Sequence, residues 1–122
     1  HGIIGDSGYY NGYDLALYFI KRNAKIFPTV VAFMTRVIAF IITKVDIKKC
    51  DLKESMLKSK YPILFLYGDK DDFVPTTHTI QAYNDCTSKK ELVMFEDCEH
   101  IIAGLKCPVK YETSIVKFIE KY

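Results

Sequence analysis

The chain has 122 residues, 49% hydrophobic and 26% charged, so composition sets one globular domain with enough apolar material for a core. Seventeen Lys and Arg against fifteen Asp and Glu leave a net charge of +2, and Lys44, Lys48, Lys49, Lys53, Lys58 and Lys60 are interspersed with acids. With no basic stripe, nucleic acid is excluded as an expected partner. The four cysteines, Cys50, Cys86, Cys98 and Cys107, include no C-x-x-C pair, which argues against a structural zinc site. Free thiols of a reducing compartment are the expectation, with the cytoplasm favoured; a bridge between Cys98 and Cys107, which flank the His100 region, is the alternative.

The chain opens on His1 rather than Met and runs at once into Gly-Ile-Ile-Gly. That reads as an interior start, with the N-terminal part of a longer protein preceding it, so targeting is not read from it. Residues 1–6 are expected to form a short buried strand, and Ser7 to Gly12 a turn. A helix is predicted from Tyr13 to about Asn23. A second begins at Pro28, a residue tolerated in a first helical turn, and runs to Thr43. This second helix is unusually apolar, but its 16 residues carry Arg36 in the middle, and a membrane span needs about 20. It is therefore expected to be buried or to line a lipophilic pocket, and a membrane partner is not expected. Asp51 to Ser59 reads as a short charged helix.

After Lys60 the rhythm changes. Ile63 to Tyr67 is a continuous apolar run, the pattern of a parallel strand buried on both faces. Thr76 to Asn84 is predicted as a helix capped by Thr76 or Thr77. Leu92 to Phe95 is the next strand. Pro108 to Tyr122 closes the chain as a helix with Tyr111, Ile115, Phe118 and Ile119 on one face. Alternation of strands and helices predicts an α/β fold with a parallel sheet of about three strands.

Asp71 and His100 each follow the carboxyl end of a strand, and these strands are consecutive, so the two residues are expected to be neighbours. An aspartate behind a histidine fixes its tautomer and stabilises the imidazolium formed when the ring takes a proton. Asp69 and Asp72 are neighbouring acids; taken singly Asp71 reads as a solvated turn acid and His100 as a surface histidine, but their matching strand-end positions favour the pair. His78 and His1 are expected to be exposed and non-catalytic. The run Gly5-Asp6-Ser7-Gly8 raises Ser7 as a nucleophile, with Asp97 and His100 as partners in the manner of GDSL-type esterases; the same tetrapeptide matches trypsin-like proteases, whose triad order and all-β fold do not fit.

The block from Tyr61 through Gly68, Asp71 and Val74 to Pro75 resembles the acid-strand motif of α/β-hydrolases, especially the serine aminopeptidase-like, bacterial esterase-type branch. Leu92 to His100 resembles the histidine loop of that family, Tyr111 to Tyr122 its terminal helix, and Gly2 to Ser7 the strand after its nucleophile elbow. Cys98-Glu99 departs from the small residues usual before the histidine. The resemblance implies the C-terminal portion of such a fold: residues 1–122 as one partial domain, with 12–60 a helical, cap-like insert and 61–122 the acid-strand and histidine-loop segment. It implies Asp71 and His100 as catalytic residues of a Ser-His-Asp triad acting on ester, thioester or amide carbonyls. The expected partner is a small acyl or peptide-like substrate, with no cofactor and no metal. No Gly-x-Ser-x-Gly elbow occurs in the chain, since Gly5-Asp6-Ser7-Gly8-Tyr9 fails at its fifth position. The nucleophile and the oxyanion hole are thus expected upstream of His1. A non-catalytic remnant or subunit module is the alternative reading. The strand at residues 2–5 would then have a bare edge, open to self-association.

Overall fold

Three apolar segments pair in parallel, and the middle one organises the rest. The computed structural model describes residues 1–122. Its strands are β1 (Ile3–Asp6), β2 (Ile63–Gly68) and β3 (Lys90–Phe95), in the order β1-β2-β3. Its helices are α1 (Gly12–Asn23), α2 (Pro28–Thr43), α3 (Lys53–Leu57), α4 (Thr76–Asp85), α5 (Ala103–Lys106) and α6 (Pro108–Lys121), with a 3₁₀ turn at Ile47–Lys49. Register sets Ile3 beside Ile63 and Gly68 beside Phe95.

Alternation along β2 builds two cores, because successive side chains point to opposite faces. Leu64 and Leu66 pack with Phe95, Cys98, Ala103 and Phe118 on one face. Ile63 and Phe65 pack with Tyr10, Ala82 and Cys86 on the other. Of the apolar run expected to be buried, Ile63 to Tyr67, Ile63–Leu66 are buried and Tyr67 is half-buried. Tyr111 and Ile115 of α6 also pack against the first core, whereas Ile119 is exposed.

Two compact units divide the chain: His1–Tyr10 with Leu52–Tyr122, and Asn11–Asp51. The helical unit closes at Asp51, whereas the sequence reading ran the insert to Lys60. α3 contacts α4, and Thr87 N and Oγ1 donate to the Met56 and Leu57 carbonyls, which ties α3 to the sheet unit. Within the helical unit, the Asn11 side chain caps α1 by accepting from Asp14 N at 3.0 Å. Arg36 grips Asp46 through two charge-assisted hydrogen bonds, Nε at 2.8 Å and Nη2 at 2.6 Å, linking α2 to the turn that follows it. The guanidinium, helped by the Lys48 amide, holds the Asp46 carboxyl well below the usual carboxylate range.

Several expectations are corrected. α2 is not buried: only Ala32 is, while Phe33, Ile41 and Ile42 are 60%, 60% and 74% exposed. Within its unit α2 meets only α1 and the 3₁₀ turn, too little protein to cover so apolar a helix. No helix is long and apolar enough to cross a membrane. α4 carries no threonine cap; Pro75 holds the cap position without a side-chain bond. β1 is not a buried strand either. Ile3 and Ile4, on its opposite faces, are 47% and 41% exposed, because β2 pairs with one side only.

An unpaired apolar edge is a template for another strand. The chain is expected to self-associate as its concentration rises, and Ile4→Lys, which places a charge on that edge, to shift it toward monomer. Sedimentation velocity over a concentration series checks this; a concentration-independent monomer contradicts it.

Candidate active site

β2 ends at Gly68, and the loop beyond it is laced to the loop that follows β3. Asp69 N donates to Phe95 O at 3.1 Å, and Lys70 N donates to Cys98 O at 3.0 Å. The lacing requires glycine. A Cβ at position 68 would lie 2.1 Å from the Cys98 carbonyl oxygen and 2.7 Å from its carbon, both backbone atoms with little freedom to move.

From this crossing the chain turns through Asp71, which is held on all sides. Its Oδ1 accepts from Phe73 N at 3.0 Å and Val74 N at 2.8 Å, an Asx-type turn that fixes the carboxylate. Its Oδ2 lies 2.8 Å from His100 Nδ1. The Asp71 side chain is 1% exposed and that of His100 is 23% exposed. A carboxylate accepts only, so the network assigns the proton to Nδ1 and leaves Nε2 as the basic nitrogen. The Phe73 ring lies over the imidazole, centroids 4.8 Å apart. Asp69 and Asp72 are exposed, so burial separates the three neighbouring acids.

The histidine loop is backbone-strained on both sides of the ring. Asp97 and Ile101 have φ of 53° and 58°. For a β-branched residue such as Ile101 this is a genuine outlier, costing on the order of 1–3 kcal/mol. Lys106 Nζ donates to Asp97 O at 2.7 Å and ties the start of the loop to the end of α5.

The other nominated residues fall elsewhere. Asp97 is exposed, and the carboxylate that meets His100 is Asp71. Ser7 is 4% exposed with φ of 51°. Its amide donates to Leu66 O at 2.9 Å, and its hydroxyl donates to Asp6 Oδ1 at 3.1 Å. Asp6 Oδ2 accepts from Tyr111 OH at 2.9 Å, a pairing across 105 positions that nothing local announced. Burial first, and then this bond, push the Tyr111 phenol up. His1 is exposed, but His78 is not; it is 8% exposed and its Nδ1 accepts from Tyr10 N at 3.1 Å, a structural role. No group of three His, Cys, Asp or Glu side chains is arranged to hold a metal ion.

No protein-family model and no curated protein matches the chain. Solved structures do resemble it. Over 98% of its length it is similar to an esterase of Pyrococcus furiosus, with 14% identity and a TM-score of 0.68. Over 100% it is similar to acetyl xylan esterase 1 of a Thermoanaerobacterium species, with 15% identity and a TM-score of 0.65. Over 98% it is similar to MGS-MChE2, an α/β-hydrolase enzyme from a lagoon-sediment metagenome of Mar Chica, with 13% identity and a TM-score of 0.62. The chain spans 44%, 38% and 50% of those three structures respectively. Its fold is thus part of the α/β-hydrolase fold, a parallel sheet with flanking helices.

Gly68→Ala is expected to part the two loops, because the clash is with backbone and not with a side chain that could turn away. The destabilisation should reach at least the upper end of the roughly 1–3 kcal/mol typical of overpacking. Thermal melts followed by circular dichroism check this. A variant as stable as the parent chain would contradict the close approach.

Proposed function

We propose that this chain supplies the acid and the base of a serine hydrolase of α/β-hydrolase type, acting on ester, thioester or amide carbonyls of a small acyl or peptide-like substrate. The observation that carries the reading is the 2.8 Å contact between His100 Nδ1 and the buried Asp71 carboxylate. His100 takes the proton of a serine hydroxyl through Nε2 and returns it to the leaving group, while Asp71 holds the tautomer and stabilises the imidazolium. The serine, on its Gly-x-Ser-x-Gly elbow, and the backbone donors for the oxyanion come from a segment preceding residue 1. Support for that segment is twofold: the similar structures are about twice as long or more, and β1 offers an unpaired edge. Neither a metal nor an organic cofactor enters this chemistry.

A second reading, a non-catalytic subunit module, rests on the lack of a Gly-x-Ser-x-Gly elbow within these 122 residues. The Ser7 hydroxyl donates to Asp6, so the serine after β1 is engaged away from the dyad. That bond counts against a GDSL-type esterase using Ser7, Asp97 and His100.

In the protein carrying the preceding elbow, Asp71→Asn replaces the acceptor facing Nδ1 with an amide N–H donor and imposes the wrong tautomer, so kcat should fall about 10⁴-fold with the fold intact. Asp97→Asn should leave kcat within a factor of a few. The 122-residue chain alone should not be labelled by a fluorophosphonate probe. Labelling at Ser7, or a kcat lost through Asp97 and kept through Asp71→Asn, would overturn the assignment.

A further inference from the structure

Outside the dyad, one pair of thiols is in direct contact. Cys98 Sγ and Cys107 Sγ lie 3.9 Å apart, and both are free thiols. The remaining cysteines have oxygen neighbours instead: Cys86 Sγ lies 3.2 Å from Ser88 Oγ, and Cys50 Sγ lies 4.0 Å from Asp46 O. Cys98 is 0% exposed, whereas Cys107, between α5 and α6, is partly open to solvent. The stretch between them contains His100 and the strained Ile101. Cys98 is also the residue whose carbonyl receives Lys70 N and crosses Gly68. One member of the pair is therefore built into the clamp that joins the acid loop to the histidine loop.

We propose that Cys98 and Cys107 are a redox-active dithiol, which a peroxide oxidises to a disulfide that staples the loop carrying His100. Closing the bond needs the sulfurs to approach by about 2 Å, to the disulfide length of about 2.05 Å.

The order of events follows from access. Burial, and then its contact with Cys107, raise the Cys98 thiol, so Cys107 is the sulfur that meets the oxidant. The Cys107 thiolate attacks one peroxide oxygen. The O–O bond breaks, a sulfenic acid forms, and the second oxygen leaves as hydroxide and is protonated to water. Cys98 then gives up its proton and its sulfur attacks the Cys107 sulfur. The S–O bond breaks, the S–S bond forms, and the sulfenic oxygen leaves as a second water. Two thiols lose two electrons and two protons, and one peroxide becomes two waters. A dithiol reductant reverses the step by exchange.

The inference stands apart from the hydrolase reading, since neither of its readouts is enzymatic activity. The native 122-residue chain is treated with equimolar hydrogen peroxide, alkylated, digested and weighed. The expected product is one intramolecular Cys98–Cys107 link, lighter by two hydrogens, with Cys50 and Cys86 still alkylated. Cys107→Ser should abolish the link and leave Cys98 reduced, and a Cys98→Ala chain should stop at the Cys107 sulfenic acid, trapped by dimedone. Should the buried Cys98→Ala substitution impair folding, the native chain and Cys107→Ser decide the matter alone. The His100 imidazole resonances are followed in parallel; they should shift on oxidation and return with dithiothreitol. Both thiols remaining alkylatable, overoxidation of Cys107 without a link, or a link through Cys50 or Cys86 would overturn the dithiol. Unmoved His100 resonances would overturn its coupling to the site.

Discussion

A carbonyl oxygen passing where a side chain at residue 68 would have to begin is the constraint from which the site follows. Because Gly68 has no Cβ, the Cys98 carbonyl can cross the end of β2 and accept Lys70 N at 3.0 Å. That crossing sets two loops from different strand ends side by side. Asp71 is then fixed by the Phe73 and Val74 amides, and His100 is fixed by Asp71. A carboxylate with a 1% exposed side chain is costly to bury unless its acceptor positions are filled. Here two amides and one imidazole fill them. The strain at Ile101 belongs to the same arrangement: the backbone leaves its favoured region next to the residue that must present a ring.

Much of this was legible before any coordinates. β2 announces itself because a buried parallel strand needs an unbroken apolar run, and Ile63 to Tyr67 provides one. Asp71 and His100 could be paired because strand ends in a parallel sheet share an edge. Choosing Asp71 over Asp69 and Asp72 is beyond periodicity and rests on the resemblance, whose motif has its acid three residues after the glycine; of the three acids, Asp71 alone is buried. Most of what failed shares one cause. The exposure of α2 and β1 and the burial of His78 depend on what packs against them, which local pattern does not encode. The Tyr111–Asp6 bond joins the two ends of the chain, and no local signal reports it. The cap of α4 was misread because threonines after a proline resemble a cap, while Pro75 itself occupies that position.

The chain is also unevenly finished. Most of β2 is closed over by protein, and the Asp71 carboxyl at its end is buried. β1 has an open edge with exposed isoleucines on both faces, and α2 exposes apolar side chains on most of its surface. Apolar area of this extent is ordinarily covered by a partner. In the reading proposed here, the missing nucleophile and an uncovered edge are two aspects of one incompleteness. The dyad does not share it, since the groups that orient Asp71 and His100 lie within residues 68–100.

That self-sufficiency can be measured directly. Long-range ¹H–¹⁵N correlation spectra of the histidine rings report which nitrogen carries the proton. In its neutral form the His100 ring is expected to be the Nδ1–H tautomer, with a low-field proton protected from exchange by Asp71. That signal should disappear in Asp71→Ala and survive in Asp97→Ala. An Nε2–H tautomer, or an Nδ1 proton indifferent to Asp71, would contradict it.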